Sequence, residues 1–439
     1  MMRELERRVL EEIKPTKELK SKVEEVSRRL KEEIEDYFDD NFEAEIVGSV
    51  AKDTYLKDPD IDIFVLFPTS VSKEKMESMV LEVGRKLLDD TETRYAEHPY
   101  IFGRYEGFKT DIVPCYKISE ISEMKSSVDR TPFHTRYISK NLPGELKDQV
   151  LLLKGFLKGI GAYGAESKVW GFSGYLCELL VLYHGGFNEV LEGSQRWKRG
   201  ITISIDQDKT VEFDDPFIFI DPVDPDRNVA SALSSDKMYL FMYAAKRYLA
   251  SPSEKFFFPH DIETRKPEIL RDIMDKRGTY LIGLKIPRPD VVKDNLYPQV
   301  QKAVRSIIKQ LEDLDFEPLH SDYFVEQGYI LLLLELKEEN LPSVEKHVGP
   351  PIWINNTEDF RKKYGRDVYL EGDRLMVDRD RKVTSVDDAI KYVIDEVNLG
   401  SDLTSIIRKD LEILERDDLI DGETGSLDKF LDRRFPWER

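Results

Sequence analysis

The 439-residue chain is 40% hydrophobic and 35% charged, with a formal net charge of −20 and two cysteines. This is a globular composition without low-complexity tracts, and its length suggests about three domains, each large enough to bury a core. The acidic balance weighs against a chain-wide nucleic-acid surface while leaving room for a local basic face; Cys115 and Cys177 belong to no CxxC or Cys/His cluster, which speaks for a reduced, cytoplasmic protein without a zinc site or disulfide framework.

The opening MMRELERRVLEEIK is charged throughout and lacks the apolar core of a signal peptide. Leu19, Val23, Val26, Leu30, Ile34 and Phe38 recur at intervals of three and four, which predicts an amphipathic helix over 17–38, limited upstream by Pro15. FEAEIVGS reads as a strand, VAKDTYL as a short helical turn, DIDIFVLFP as a second strand ending at Pro68, and KEKMESMVLEVGRKLL as a helix. RYAEHPYIFGRYEG and FKTDIVPCYKI read as two further strands, with Gly107 near the turn and Pro114 weakening the second past its middle. NLPGE at 141–145 reads as a linker, followed by helical periodicity in LKDQVLLLKGFLKG, GYLCELLVLYHGG and SDKMYLFMYAAKRYLAS. SPSEKFFFPHD marks a second boundary. Beyond it, the strands TYLIGLKI, YILLLLEL and DVYLEGDRLMVD mix with the helices YPQVQKAVRSIIKQLEDL and VDDAIKYVIDEV. The longest apolar run, Tyr329 to Leu334, is far short of the roughly 20 residues of a membrane helix. The expected organisation is an α/β domain over 1–140, a mainly helical domain over 141–258, and an α+β region over 259–439 in which an inserted piece would split the chain.

One stretch, GSVAKDTYLKDPDIDIFVLFP at 48–68, sets a chemical problem. Asp60 and Asp62 share one face of a strand that runs into an apolar core. Crowded carboxylates repel unless a cation sits between them, and Mg²⁺ is held by one or two carboxylates together with phosphate oxygens. A pair of such ions about 3.5–4 Å apart activates an attacking hydroxyl and stabilises the leaving oxygen. The third carboxylate this needs is Asp111, inside the apolar FKTDIVPCY. Gly48 and Ser49, where a strand meets a helical turn, offer backbone N–H groups and a small hydroxyl to a phosphate, and Lys52 adds a charge. A lone DxD marks a solvated strand end more often than a metal site; the set taken together points to nucleotidyl transfer. GIGAYG at 159–164 matches GxGxxG but closes a helix instead of opening one, so it is not a dinucleotide fingerprint. P-loop, HExxH and GxSxG motifs are absent from the sequence.

With SSVDRTPFHTRYI, LLLKGFLKGIGAYGAESKVWGFSGYLCELL, FIDPVDPDRNVA and HVGPPIWINN added, the chain resembles the archaeal-type (class I) CCA-adding enzymes, tRNA nucleotidyltransferases of the DNA polymerase β superfamily. The resemblance spans nearly the whole chain. It implies a polymerase β-like nucleotidyltransferase palm, a helical second domain and a C-terminal RNA-binding region. It also implies addition of C, C and A to the tRNA 3′ end from CTP and ATP, with two Mg²⁺ ions and without a template. Carried over, Asp60, Asp62 and Asp111 hold the metals and carry catalysis. Gly48, Ser49, Lys52, His98, Thr131, His134, Lys154, Tyr163, Ser173 and Arg227 line the nucleotide pocket. The family often has Arg where Lys52 stands and an acidic residue other than Asp where Asp60 stands. Arg227 would also contact RNA, its planar fork suiting base and phosphate together. The resemblance allows a homodimer.

For the tRNA acceptor and T arms, Lys302, Arg305 and Lys309 fall at i, i+3 and i+7, one helical face in a stretch with six Lys/Arg (285, 288, 293, 302, 305, 309) against two Asp (290, 294). A solvated helix face reads the same way. Two alternatives stand beside CCA addition: a poly(A)-polymerase-like enzyme using ATP alone, and a non-catalytic binder of structured RNA on the same fold.

Overall fold

The computed structural model describes residues 3–38, 42–95, 97–205 and 212–439. They form two compact units, one of residues up to Asp261 together with Arg434–Arg439, the other of Ile262–Arg433.

The first unit opens with α1 (Glu4–Ile13) and α2 (Lys17–Tyr37). Thr16 caps α2 by accepting from the Leu19 N–H, and the helix buries Val23, Val26, Leu30 and Ile34, the face its spacing predicts. β1 (Glu43–Val47) runs directly into the five-residue α3 (Gly48–Lys52). Then come β2 (Asp60–Phe67), α4 (Lys73–Leu87), β3 (Asp89–Tyr95), β4 (Pro99–Tyr105) and β5 (Phe108–Tyr116). The sheet order is β1-β2-β5-β4-β3; β2 and β5 run parallel and every other neighbouring pair antiparallel. Pro114 does not end β5. The β4 ladder stops at Ile112, so from there β5 is an edge on that side and tolerates a missing N–H.

The strand expected over RYAEHPYIFGRYEG is two strands: β3 ends at Tyr95 and β4 begins at Pro99, with Ala96 outside the described residues. β3 itself, DDTETRY, is a polar edge strand whose exposure pattern shows no apolar alternation.

Helices dominate the rest of this unit: α5 (Thr131–Asn141), α6 (Gly144–Gly159), α7 (Gly174–His184), α8 (Phe187–Ser194) and α9 (Ser235–Ala250). A short parallel pair, β6 (Ile201–Ile203) with β7 (Phe217–Phe219), lies before α9. Only Leu142 and Pro143 separate α5 from α6. α6 to α9 share a core rich in Leu and Phe, among them Leu152, Phe156, Leu180, Phe187 and Phe241. GIGAYG lies at the end of α6, as a helix stop should. Its first glycine has a packing reason: a Cβ on Gly159 would come within 2.1 Å of the Phe256 carbonyl oxygen.

In the second unit, α10 (Pro267–Arg277), β8 (Tyr280–Pro287), α11 (Lys293–Asp313), β9 (Pro318–Val325) and β10 (Tyr329–Leu336) are followed by β11 (Val344–Pro351), α12 (Thr357–Tyr364), β12 (Tyr369–Glu371) and β13 (Arg374–Asp380). It closes with α13 (Val386–Glu396), α14 (Thr404–Asp410), β14 (Glu412–Leu414), α15 (Arg416–Gly422) and α16 (Thr424–Leu431). The main sheet is ordered β14-β8-β10-β9. β10 reads as a continuous apolar run because both its faces are covered: Leu332 and Leu334 pack with α11 and α13, Leu331 and Leu333 with α10, α15 and α16. β11, β13 and β12 form a small separate sheet. DVYLEGDRLMVD, expected as one strand, is the β12–β13 hairpin, turned at Gly372, whose φ is +61°. Among the described residues no helix is long and apolar enough to cross a membrane.

The Gly159 contact predicts that Gly159→Ala destabilises the first unit by about 1–3 kcal/mol, the cost of overpacking against backbone. The readout is the urea midpoint; an unchanged midpoint would show that the Phe256 segment yields freely.

Candidate active site

Alternation along β2 sends Ile61, Ile63, Val65 and Phe67 into the core with α2 and α4, so Asp60, Asp62, Phe64 and Leu66 share the opposite face. There Phe64 and Leu66 pack with Val47, Val113 and Cys115, a small apolar cluster that fixes the strand pair behind the acids. In the parallel register Asp62 stands opposite Asp111. Burial, then repulsion from Asp111 and Asp60, raises the Asp62 carboxyl to about 8 against the pull of Lys52. Burial raises Asp111 to about 6, although Arg94 opposes it. Asp111 Oδ1 is buried and has no hydrogen-bond partner among the described residues. Both facts describe a site short of positive charge, and carboxylate oxygens are the donors that hard divalent cations prefer. Asp60 stands apart, 59% exposed and 3.9 Å from Lys109 Nζ. Accordingly, among the described residues no three acidic, His or Cys side chains converge into a ready-made cage. The donor set fits a divalent ion, with Asp62 and Asp111 at its centre and Asp60 at its rim.

Asp62 also dictates the glycine at position 48. Its φ is +68°, and a Cβ there would lie 2.2 Å from Asp62 Oδ2. Its N–H donates to Thr135 Oγ1 (3.3 Å), whose own hydroxyl donates to the Thr131 carbonyl (3.1 Å). This chain ties α3 to the start of α5.

Lys52 and Lys154, both expected in the nucleotide pocket, are buried together. Lys52 Nζ lies 2.5 Å from Glu178 Oε2, and Lys154 Nζ lies 3.3 Å from Glu178 Oε1 while donating to the Thr54 carbonyl at 2.8 Å. Thr54 donates its hydroxyl to Glu178 Oε1 at 2.5 Å. Burial would raise the Glu178 carboxyl, but Lys52 and Lys154 outweigh it and hold it below its ordinary range. Burial also pulls Lys154 down, against Glu178. A cleft of about 80 Å³ opens beside this cluster, lined by Ser49, Thr54, Asp60, Lys154, Lys158 and Tyr163 among others. Lys158, one turn beyond Lys154 on α6, is exposed and sits 5.5 Å from the centre of the Tyr163 ring. A larger cavity of about 370 Å³ opens at the far end of β2 and β5, by Leu66 and Tyr116, and none of the expected residues lines it.

A second buried carboxylate gathers His134 and Arg227, both expected in the nucleotide pocket, together with Tyr175. Asp221 accepts from His134 Nε2 (2.8 Å), Tyr175 Oη (3.1 Å), Arg227 Nη1 (2.9 Å) and the Val223 N–H (3.0 Å). Burial would raise its carboxyl, but these donors overcome it and hold it at about 2. Burial lowers His134 in spite of Asp221. The His134 ring stacks on Tyr175 with centroids 4.1 Å apart. Ser173 caps α7 by accepting from the Leu176 N–H (3.1 Å).

His98 belongs elsewhere. It is buried, its Nδ1 bonds Glu77 of α4 at 3.0 Å, and its Nε2 has no partner among the described residues. It makes no hydrogen bond or ion pair with the other expected residues. In the second unit Lys302, Arg305 and Lys309 are exposed on α11, opposite the buried Ala303, Val304 and Ile307, and form no ion pair among the described residues. Lys285, counted in the same basic stretch, instead pairs with Glu423 at 2.7 Å.

Sequence reasoning missed Glu178, Asp221, Tyr175 and Lys158. The available signals were one acid in the otherwise apolar GYLCELLVLYH and an acid heading DPVDPDR; neither names its partners.

Family models match in sequence along the chain: a nucleotidyltransferase domain over residues 27–138, the second domain of tRNA nucleotidyltransferase over 148–258, and the C-terminal domain of CCA-adding enzyme over 277–416. The CCA-adding enzyme of Methanothermobacter thermautotrophicus is 37% identical over 98% of each chain. That of Archaeoglobus fulgidus is 38% identical over 90% of each. That of Thermoplasma volcanium is 39% identical over 88% of this chain and 86% of the other.

The crowded acids carry a pH signature. A carboxyl held near 8 in the fold keeps a proton that the unfolded chain releases near 4. Without divalent metal, the contribution of Asp62 to folding stability therefore falls as pH rises from about 4 to 8. In EDTA at pH 8, Asp62→Asn should melt above the unaltered protein, with the difference vanishing near pH 4. Equal melting temperatures at pH 8 would contradict the crowding.

Proposed function

The chain belongs to the CCA-adding enzyme family of tRNA nucleotidyltransferases, and from that membership we propose how its residues divide the work of adding C, C and A to tRNA from CTP and ATP. The observation that carries the reading is the in-register pair Asp62 and Asp111 with an orphaned buried oxygen.

Asp62, Asp111 and Asp60 are the residues that would hold two Mg²⁺ ions. Bound there, the ions would make the tRNA 3′-hydroxyl more acidic and withdraw charge from the phosphates. The reaction joins the 3′-oxygen to the α-phosphorus of the nucleotide, breaks the bond to the β-phosphate bridge and releases diphosphate. Gly48 leaves the space that Asp62 needs. Ser49, Lys52, Lys154, Tyr163 and Ser173 serve the triphosphate and sugar, with Lys158 at the mouth of the cleft. Thr131, His134 and Arg227 serve the base; one arm of the Arg227 fork is anchored on Asp221, which leaves the other donors for base and RNA phosphate. His98, held on α4, would act from the margin of this pocket. Lys302, Arg305 and Lys309, exposed on one helix face, offer their charges to the phosphates of the acceptor and T arms, reading shape and backbone.

The assay uses Mg²⁺, a tRNA lacking its 3′ CCA, and labelled CTP and ATP separately and together. Two C residues, one A and then arrest are expected. An unlimited A tail would indicate a poly(A)-polymerase-like enzyme, and no incorporation a binding protein. Asp62→Ala or Asp111→Ala should abolish incorporation while tRNA binding persists. Near-normal activity in either variant would refute the metal assignment. Replacing Lys302, Arg305 and Lys309 together with Gln should weaken tRNA binding and make its salt dependence shallower by about 2–3 in log–log slope, with the KM for CTP unchanged. An unchanged slope would place the RNA contacts elsewhere.

A further inference from the structure

A polyphosphate needs positive charge that is held in place. Lys52 and Lys154 are only 7% and 2% exposed, and a single fully buried carboxylate lies between them. Glu178 does not line the cleft, whereas Lys154 does. It comes from α7, one turn after Tyr175, so both project from one helix face. Tyr175 faces the same lysine, its ring centre 5.8 Å from Lys52 Nζ. Thr54 supplies the remaining restraint, giving its hydroxyl to the Glu178 oxygen that also faces Lys154.

The charge count explains the arrangement. Two ammonium groups against one carboxylate leave a net charge of about +1 for an incoming anion, and the carboxylate prevents two buried like charges from driving each other apart. A neutral residue of the same shape would leave both lysines in place sterically but without the anion that fixes them.

We propose that Glu178 is a positioning residue for the phosphate-binding lysines, setting where Lys52 and Lys154 present charge to the polyphosphate that CTP, ATP and diphosphate have in common. This rests on the nucleotidyl-transfer reading above, and it makes a specific demand: Glu178 acts on the shared part of the substrates, not on the base.

The test is steady-state incorporation into tRNA lacking CCA by the full chain and by Glu178→Gln, with diphosphate inhibition measured alongside. The KM for CTP and the KM for ATP should rise by a common factor of about tenfold or more, the scale of a lost charge-assisted hydrogen bond. The diphosphate inhibition constant should rise in parallel, and the KM for tRNA should stay unchanged. A merely structural role predicts fewer active molecules, seen as a lower kcat with every KM unmoved, and that result would overturn the proposal. So would a rise confined to one nucleotide. If Glu178→Gln does not fold, Thr54→Val removes one restraint without burying a new charge; it should raise both nucleotide KM values together by a few-fold, and unchanged values would overturn the proposal. Failure of the unaltered chain to add CCA would instead overturn the functional reading.

Discussion

Two carboxylates side by side on parallel strands, Asp62 on β2 and Asp111 on β5, are the constraint on which the rest of this site depends. An apolar strand can present such a pair rigidly only if its other face is well buried, and Ile61, Ile63, Val65 and Phe67 supply that. The pair also sets its surroundings. Gly48 must lack a side chain because Asp62 Oδ2 occupies that space, and β1 must turn into α3 with a left-handed residue at the junction. Sheet order follows as well, since placing β5 beside β2 in parallel requires the chain to pass through α4 and the β3–β4 hairpin first.

The cations are organised by a different means. Two fully buried carboxylates, Glu178 and Asp221, each collect several donors from separate elements of the first unit. Glu178 holds Lys52 of α3 and Lys154 of α6; Asp221 holds His134 of α5, Tyr175 of α7 and Arg227. A buried carboxylate without partners would cost several kcal/mol, so these clusters form as units. Long, flexible cationic side chains thereby lose much of their conformational freedom in the fold itself, and an anion bound as proposed would meet a lower ordering cost.

Much of this was legible in the chain. The alternation of DIDIFVLF gave the strand and the shared face of its acids, and an Asp inside apolar FKTDIVPCY stood out as needing a reason. The three-and-four spacing of α2, the body of α11 and the whole of α13 were likewise readable, because burial on one face forces those patterns, whereas α11 begins at Lys293, ahead of the expected Tyr297. Other elements left little trace. β3 is a polar edge strand, and α5 buries only Pro132, Thr135 and Ile138, so neither has a strong periodicity. Lys52 and Lys154 were recognisable as cations, but the glutamate that joins them lies 126 residues from one and 24 from the other. Remote pairing is a property of the packed chain, and one sequence does not report it.

The central claim is that Asp62 and Asp111 are short of a divalent cation. Titration of the full chain with Mn²⁺, followed by loss of the free-ion paramagnetic resonance signal, tests it without recourse to activity. The account predicts bound Mn²⁺ on the unaltered protein and its loss in both Asp62→Asn and Asp111→Asn. Equal Mn²⁺ binding by all three proteins would contradict it.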